Sequence, residues 1–337
     1  MGEERFLVVR LGSLGDIVHT LPSVHALRLW FPGKQIDWLV EKKWRALLVG
    51  NPDVNDVILF DRTTWRGILE SVSRLRAAQY TTVIDFQGLY KSAVLARLSG
   101  APRRIGFARK YLRESGARWF YTEQVAPPTC HVVDQNLAIV ESLGAEKKTP
   151  RFPLWVGGEA DRWVRLERTT HGVKKFFVLS PGGGWTSKCW PAEQYGHLHR
   201  RLTSLPAFAG WRGVVNFGPG ERKLAEAVRL VAGEPEPLLL STDLPQLMAL
   251  LHRAEFFVGG DSGPLHLAVA LGTPVVGLYG PTDPARNGPY SVADIVVRNA
   301  RPEETTYKRH DSPAPSMRSI TVDQVVDAVQ RRLGVSE

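Results

Sequence analysis

The sequence predicts an α/β protein built from two Rossmann-like domains, and three observations carry this prediction. Short runs rich in Val, Ile and aromatic residues alternate with helical patterns along almost the whole chain. A turn-rich passage at 147–159 interrupts this alternation, which then restarts. With 337 residues, the chain is long enough for two domains of ordinary size. We therefore expect domains at 1–153 and 154–337, each a parallel sheet covered on both faces, facing each other across a cleft.

In the first half, strand-like runs are separated by helical patterns. The predicted strands are RFLVVR, QIDWLV, NDVILF, YTTVIDF and RRIGF, and the predicted helices lie at about 17–31, 42–49, 64–78 and 89–99. An amphipathic pattern at 131–144 ends at a glycine, which is typical of a helix C-terminus.

In the second half, five strands are predicted, with a helical segment between each pair. They are KKFFVLS, GVVNFG, PLLLS, EFFVGG and PVVGLYG, and a last helix is expected at 321–334. Neither half contains G-x-G-x-x-G or G-x-x-x-x-G-K-[ST]. Ordinary dinucleotide sites, including that of an NAD-dependent dehydrogenase, and P-loop sites are therefore disfavoured.

Composition places the chain among soluble globular proteins, with 43% hydrophobic and 23% charged residues. No apolar run approaches the length of a spanning helix, and the N-terminal residues lack the pattern of a secretory signal, so a cytoplasmic protein is expected. The two cysteines, Cys130 and Cys189, make a disulfide framework unexpected and exclude a four-cysteine metal site within one chain.

The positive charge is concentrated in one part of the sequence. The net charge is +9, and residues 62–118 contain 12 basic against three acidic residues. This concentration points to an anionic partner such as a phosphorylated lipid, an acidic sugar or a nucleic acid, whereas the alternative is a solvated basic face. No zinc-finger, RNP-type or helix-turn-helix pattern accompanies the charge, so nucleic acid is the weakest of these partners.

A lone carboxylate, Asp16, follows the first strand and a glycine-rich turn, in FLVVRLGSLGDIVHTLPSV. Loops of this kind often bind phosphate, which a carboxylate would repel. Asp16 therefore indicates either a general base for a substrate hydroxyl or a helix N-cap.

Three loops of the second half carry further chemistry. In SPGGGWTSKCWP, consecutive glycines allow backbone amides to approach a ligand and a lysine adds charge, which favours an anion site over a flexible surface loop. In GGDSGPLHLAVALG, a strand leads through Gly-Asp-Ser-Gly into a helix whose N-terminus suits an anion, although Asp261 or Ser262 could be only an N-cap and His266 only a core residue. In FGPGERK, Glu221 could accept hydrogen bonds from ribose hydroxyls, a weak signal by itself.

These segments together resemble a known family. RLGSLGDIVHTLPSV, VIDFQGLYKSAVLARL, PGGG with SKCWP, and GGDSGPLHLAVALGTPVVGLYGPTDP are similar, in order and spacing, to the lipopolysaccharide-core heptosyltransferases of glycosyltransferase family 9. The resemblance covers residues from about 5 to 290. It implies a GT-B fold, an acceptor bound mainly by the first domain, a nucleotide-sugar bound by the second, and an inverting reaction that needs no metal ion or cofactor.

Within the family, GDIVHTLP and IDWLVEKKW are similar to the branch that adds the first heptose, from ADP-heptose to Kdo on lipid A. SPGGGW instead resembles the loop of other branches, including the second-heptose enzymes, so another acceptor or another nucleotide-sugar donor is the alternative. A nucleotide-sugar-binding protein without catalysis is the alternative from a different class. An anionic glycolipid acceptor implies peripheral contact with the cytoplasmic face of the inner membrane, and no nucleic acid.

The resemblance also implies roles for individual residues. Asp16 is the expected catalytic base, because the second domain holds the donor diphosphate and the first need not bind phosphate. The expected donor-binding residues are Gly182, Gly183, Gly184, Lys188, Glu221, Asp261, Ser262, Gly263 and His266. The expected acceptor-binding residues are Ser13, His19, Arg66, Lys91 and Arg104.

Overall fold

The chain forms two compact units, Met1–Trp155 and Val156–Glu337. The structure is a computed structural model that describes residues 4–146 and 149–335. In the described residues, each unit contains one six-stranded sheet in which all neighbouring strands are parallel. The predicted α/β class with two Rossmann-like domains is therefore confirmed.

The first unit has the strand order β3-β2-β1-β4-β5-β6. Its strands are β1 (Arg5–Val9), β2 (Gln35–Glu41), β3 (Asp56–Phe60), β4 (Thr82–Asp85), β5 (Arg103–Phe107) and β6 (Glu123–Val125). Its α-helices are α1 (Leu14–Trp30), α2 (Trp65–Ala77), α3 (Tyr90–Leu98) and α4 (Val132–Glu141), and short 3₁₀ helices span Lys42–Leu47, Arg109–Tyr111 and Ser115–Phe120.

The second unit has the strand order β12-β11-β10-β7-β8-β9. Its strands are β7 (Lys175–Ser180), β8 (Trp211–Phe217), β9 (Leu238–Ser241), β10 (Phe257–Gly260), β11 (Val275–Tyr279) and β12 (Ile295–Arg298). Its α-helices are α5 (Gly158–Thr170), α6 (Ala192–Thr203), α7 (Arg222–Ala232), α8 (Leu244–Arg253), α9 (Gly263–Ala270), α10 (Pro284–Asn287), α11 (Pro315–Arg318) and α12 (Val322–Leu333). Short 3₁₀ helices span Thr186–Lys188, Pro206–Phe208 and Pro302–Glu304.

Both sheets have the same doubly wound topology, since the second order, renumbered within its own unit, is also 3-2-1-4-5-6. In such sheets the chain direction across the sheet reverses at a switch point, and ligands bind outside the carboxyl ends of the strands there. The switch points lie between β1 and β4 in the first unit and between β7 and β10 in the second.

The central strands are largely continuous apolar runs, as expected where helices cover both faces of a sheet. In β1, every residue from Phe6 to Val9 is buried, and β11 is buried along its whole length. The last helix, α12, buries Val325, Val326 and Val329 in the core of the second unit, so it is one of the helices that pack against the second sheet.

Several elements differ from the prediction. The segment expected to be helical at 42–49 is a 3₁₀ helix at Lys42–Leu47. Helix α1 begins at Leu14, three residues earlier than expected, with Ser13 at the N-cap position and its amide and hydroxyl donating to Asp16 in the first turn. The edge strands β6 and β12 were not predicted, since β6 is the exposed polar sequence EQV and β12 is a short, only partly buried run of four residues, IVVR.

A buried histidine gives the second unit a pH-dependent stability. His199 of α6 is fully buried, with its ring 5.8 Å from the Phe177 ring, and burial, together with the Arg212 charge, lowers its pKa to about 4. An unfolded histidine titrates near 6.5, so below that pH the unfolded chain takes up a proton that the folded chain refuses. The free energy of unfolding should therefore fall by up to ~1.4 kcal/mol per pH unit between about 6.5 and 4.

Thermal unfolding of wild type and His199→Gln at pH 7 and pH 5 measures this contribution. We expect the wild-type midpoint to drop more than that of the variant over this interval. Equal drops in the two proteins would show that His199 does not carry the effect.

Candidate active site

Asp16 lies in the first turn of α1, directly beyond the carboxyl end of β1 at the first switch point. Its Oδ2 accepts hydrogen bonds from the amide and the hydroxyl of Ser13, both at 3.0 Å. Its Oδ1 lies 2.6 Å from Nη2 of Arg10, and the Asp16 side chain is 39% exposed. A carboxylate oxygen can accept about two hydrogen bonds, so Oδ1 retains a lone pair for a ligand.

The surroundings of Asp16 keep it ionised. Burial opposes its charge, but the Arg10 guanidinium and the hydrogen bonds from Ser13 hold the pKa of the carboxyl below its ordinary value. At neutral pH the group is therefore a carboxylate that can accept a proton. It also supports the helix end, since Ser13 is the N-cap and Asp16 is its capping-box partner at N3.

Arg10 was not singled out in the sequence, although it directly precedes the glycine-rich turn. Its side chain is buried, Nη1 donates to the carbonyl of Phe86, and its own carbonyl accepts a 3.1 Å hydrogen bond from Trp38. The guanidinium is therefore fixed between the ends of β1 and β4. Arg10 sets both the orientation and the charge of Asp16.

The loops after β1 and β4 are tied together beneath Asp16. The side-chain oxygen of Gln87 accepts from the amides of Leu11 and Gly12 at 3.0 and 3.4 Å. A Cβ on Gly12 would lie 2.6 Å from Trp44 Nε1, so this turn needs glycine. Asp85, fully buried at the end of β4, accepts a 2.8 Å hydrogen bond from the Gln87 amide, and burial raises its pKa. These contacts form a rigid floor for the site.

Basic side chains collect at the carboxyl edge of the first sheet. They follow β2, β3, β4 and β5, and they are Lys43, Arg62, Arg66, Lys91, Arg109 and Lys110, all exposed. Glu41 Oε1 lies 3.3 Å from Lys91 and 3.5 Å from Arg62, and Oε2 lies 3.8 Å from Lys43. One carboxylate thus faces three cations, and the edge stays positive. The predicted residues Arg66 and Lys91 both lie here.

Two other predicted acceptor residues have different surroundings. His19 is in α1, one turn after Asp16, but it is 5% exposed and its ring lies edge-on to His131 at 6.0 Å. Arg104 lies near the amino end of β5, away from the edge that carries Asp16, and its guanidinium donates to the carbonyls of Phe120 and Ala101 at 2.8 and 2.7 Å. The structure does not bring Arg104 to the other predicted acceptor residues, because its hydrogen bonds to these two carbonyls hold the guanidinium near the amino end of β5.

At the second switch point, Asp261 organises the loop between β10 and α9. It is 6% exposed, and its Oδ2 lies 2.6 Å from Lys188 Nζ. Thr282 donates to Oδ2 at 2.8 Å, Asn287 donates to Oδ1 at 2.7 Å, and His266 Nε2 is 3.4 Å from Oδ1. Although burial opposes the charge, these partners hold the pKa of Asp261 far below its ordinary value. The carboxylate is therefore a permanent anion with its partners in place.

Glycines allow the predicted donor loops to meet. A Cβ on Gly182 would lie 2.3 Å from the Glu221 carboxylate, and one on Gly260 would lie 2.7 Å from the carbonyl oxygen of Lys188. The Cβ position of Gly183 lies 3.7 Å from Cβ of Ser262. The loops after β7, β8 and β10 thus converge at one point of the edge, as expected for neighbouring parallel strands. Gly184 is open on this side, with nothing within 4 Å of its Cβ position.

Glu221 also stabilises its own loop, since Oε2 accepts a 2.8 Å hydrogen bond from the Gly218 amide. Ser262 is the N-cap of α9, and Gly263 is the first helical residue. The positive end of this helix therefore points toward the three converging loops. The loops that carry the nine residues predicted to bind the donor therefore meet at this edge of the second sheet.

Three further observations concern metal ligands, membrane-spanning helices and cysteines. Across 4–146 and 149–335, no three His, Cys, Asp or Glu side chains are placed to share a metal ion. Over the same residues, no helix combines the length and the apolar character needed to span a bilayer. Cys130 and Cys189 are free thiols.

Comparisons with known proteins agree with this geometry. The family model for glycosyltransferase family 9 (heptosyltransferase) matches residues 68–316. The lipopolysaccharide heptosyltransferase 1 of Pseudomonas aeruginosa is 31% identical over 305 residues, which are 86% of this chain and 82% of that protein. The lipopolysaccharide core heptosyltransferase OpsX of Haemophilus influenzae is 27% identical over 322 residues, or 92% and 88% of the two chains.

Solved structures show the same fold. The family 9 glycosyl transferase of Veillonella parvula superposes with a TM-score of 0.83 at 23% identity and covers 98% of this chain and 97% of its own. The E. coli heptosyltransferase WaaC with ADP superposes with a TM-score of 0.74 at 24% identity, covering 98% and 100%. The fold is thus that of the GT-B heptosyltransferases. The chain belongs to glycosyltransferase family 9, the heptosyltransferase family, and is a glycosyltransferase.

Proposed function

We propose that this enzyme transfers heptose from ADP-heptose to Kdo on lipid A, with inversion at the anomeric carbon and without a metal ion. The observation that carries the proposal is the ionised, half-exposed carboxylate of Asp16 at the switch point of the basic first unit. Relatives named as lipopolysaccharide heptosyltransferases support the sugar and the class of acceptor. The E. coli heptosyltransferase with ADP supports the nucleotide.

In this reaction the acceptor hydroxyl hydrogen-bonds to Asp16, which takes its proton as the oxygen attacks the anomeric carbon. The bond between that carbon and the donor diphosphate breaks on the opposite face, and ADP leaves. Attack from the opposite face inverts the anomeric configuration. Asp16 is a weak base because its pKa is lowered, so it accepts the proton late, when the hydroxyl has become acidic through bond formation.

The second unit would hold the donor. Negative charge grows on the diphosphate as it leaves, and Lys188, the amides of Gly182–Gly184 and the N-terminus of α9 supply positive charge at one point. Glu221, beside Gly182, would accept hydrogen bonds from the ribose hydroxyls. Asp261 would hold Lys188 in place instead of contacting phosphate, since two anions repel.

The defining experiment incubates purified protein with ADP-heptose and a panel of Kdo-terminated and heptose-terminated lipid A acceptors. We expect transfer to the Kdo-terminated acceptor, with the opposite anomeric configuration in the product, and an unchanged rate in EDTA. Transfer only to a heptose-terminated acceptor would assign the enzyme to another branch, and activity only with another nucleotide-sugar would correct the donor. A strict requirement for a divalent cation would contradict the metal-free reaction.

The proposed acceptor is a membrane lipid, and the first turns of α2 offer a surface for the membrane. Trp65 and Leu69 are 68% and 57% exposed, and with Ile68 they occupy one face at helical spacing. Arg66 lies over the Trp65 ring at 5.6 Å, and Arg62 is exposed nearby in sequence. Apolar side chains flanked by cations suit the surface of a bilayer that contains anionic lipid.

We therefore expect the double variant Trp65→Ser/Leu69→Ser to bind vesicles containing phosphatidylglycerol roughly tenfold or more weakly, because two apolar side chains no longer leave water. Arg66→Ala should raise the KM for the lipid acceptor, and added salt should act in the same direction on wild type. Leu230→Ser in the second unit, at a side chain that is 83% exposed, is the matched control and should bind vesicles normally. Unchanged vesicle binding in the double variant would contradict the proposal that α2 binds the membrane.

A further inference from the structure

A segment of the second unit, residues 305–314, crosses the candidate donor site, and we name it the strap. At one end, the Thr306 amide donates to the carbonyl of Pro281, beyond β11, at 2.7 Å. At the other end, the Ala314 amide donates to the carbonyl of Ser187, in the loop after β7, at 3.2 Å. Because β10 lies between β11 and β7 in the sheet, the strap passes the loop that carries Asp261.

The strap carries an arginine whose guanidinium lies over an aromatic ring. The guanidinium carbon of Arg309 lies 5.0 Å from the centre of the Trp185 ring. Nζ of Lys188 lies over the same ring, at 4.3 Å. Among the described residues, the exposed Arg309 has no hydrogen bond and no ion pair from its guanidinium. The Trp185 ring therefore contacts two cations, Lys188 and Arg309, beside the candidate donor site.

The charges at this point do not balance. Lys188 is matched by Asp261 at 2.6 Å, and Asp261 has further partners in Thr282 and Asn287. Within the described part of the chain, the Arg309 guanidinium has no such partner, and its charge repels that of Lys188. A ring can attract a nearby cation, but it does not neutralise it. An anion bound between the two cations would remove the repulsion, and a diphosphate has the required charge and several acceptor oxygens.

We infer that Arg309 is a donor-binding residue whose guanidinium contacts the diphosphate of the nucleotide-sugar, with Trp185 as its platform. This inference rests on the proposed function, because it takes the donor to be a nucleoside diphosphate sugar. A guanidinium can bind phosphate oxygens through two parallel hydrogen bonds, which a lysine cannot do. Arg309 thereby adds a second cation for the leaving group, beside Lys188, whose charge Asp261 offsets in part.

Calorimetric titration of ADP and AMP into wild type, Arg309→Ala, Arg309→Lys and Lys308→Ala tests the inference. We expect Arg309→Ala to weaken ADP binding by roughly tenfold or more, the usual scale for a lost charge-assisted hydrogen bond. AMP, which lacks the second phosphate, should lose much less. Lys308→Ala removes the neighbouring strap charge, which has no ring contact among those described, and should bind ADP within about twofold of wild type.

Arg309→Lys keeps the charge without the paired hydrogen bonds and should lie between wild type and Arg309→Ala. It also guards against misfolding, and each variant's apo melting temperature should match that of wild type. If Arg309→Ala binds ADP as tightly as wild type, the inference is wrong while the proposed function stands. If wild type binds another nucleoside diphosphate but not ADP, the proposed donor is corrected, and the same variants titrated with that ligand decide the role of Arg309. If wild type binds no nucleoside diphosphate, both proposals fail.

Discussion

Replacement of Asp16 by asparagine is expected to lower the turnover number of sugar transfer by roughly 10²–10⁴-fold, the usual scale for general-base catalysis. Asparagine has nearly the same shape, but it cannot take a proton at neutral pH. It also loses the ion pair with Arg10, which is 2.6 Å away in wild type. The donor should bind with unchanged affinity, because the proposed donor residues all belong to the second unit.

The measurement is single-turnover transfer, in which chemistry limits the rate, together with the Kd for ADP. Ser13→Ala is the matched control, because it removes the hydroxyl that donates to Asp16 at 3.0 Å while leaving the carboxylate in place. If capping is the main role of Asp16, the two variants should lose similar activity and similar stability. An Asp16→Asn enzyme that keeps most of its turnover would end the assignment of Asp16 as the base.

The pH profile gives an independent check. The pKa of Asp16 is lowered, so the base stays deprotonated as pH falls and is protonated only below its ordinary pKa of about 4. In the free enzyme, kcat/KM should therefore show no loss from protonation of Asp16 between pH 8 and pH 5. If kcat/KM of wild type instead fell on the acidic side with an apparent pKa near 6, and only Asp16→Asn lacked this fall, the proposed lowering of the Asp16 pKa by Arg10 would be wrong.

The central part of each sheet was predictable because its strands are buried on both faces and therefore read as continuous apolar runs. β1 and β11 show this directly, since their residues leave no polar face to confuse the pattern. The edge strand β6, with the sequence EQV, has exposed polar side chains and depends on pairing with β5 for its conformation. Such pairing is a long-range property that no local pattern records.

The meeting of the loops proposed to hold the donor was predictable for a related reason. Loops that follow neighbouring parallel strands meet at one edge, so residues 73 positions apart, such as Lys188 and Asp261, come within 2.6 Å. The sequence could not show which charged side chains form hydrogen bonds within the fold and are therefore not available to a ligand. Arg104 contributes to the positive charge counted in the sequence, yet its guanidinium donates hydrogen bonds to two backbone carbonyls of the first unit. Conversely, the position of Arg309 over Trp185 depends on the path of the strap. The strap is irregular, so its sequence has no helical or strand periodicity from which that path could be predicted.

Loss of the Asp261 carboxylate is expected to damage both stability and donor binding. In Asp261→Ala, Lys188 keeps its charge at a site where its side chain is only 16% exposed, and Thr282 and Asn287 lose their acceptor. Removing one partner of a buried pair costs about 3 kcal/mol or more, because the other charge is left uncompensated. The melting temperature of the apo protein should fall, and ADP binding should weaken because Lys188 is no longer held.

Lys188→Ala separates these two effects, because it leaves Asp261 with three of its partners. We expect Lys188→Ala to weaken ADP binding by roughly tenfold and to lower the melting temperature less than Asp261→Ala does, because Thr282 and Asn287 still donate to the Asp261 carboxylate. The stability that Asp261 contributes is present above its unfolded pKa, near 4, and is lost only as pH falls below that value, because its folded pKa is lower still. The gap in melting temperature between wild type and Asp261→Ala should therefore stay constant from pH 8 to pH 5. If instead Lys188→Ala destabilises the apo protein as much as Asp261→Ala does, the pair serves the fold first, and the diphosphate must be held by Arg309 and the helix α9 amides.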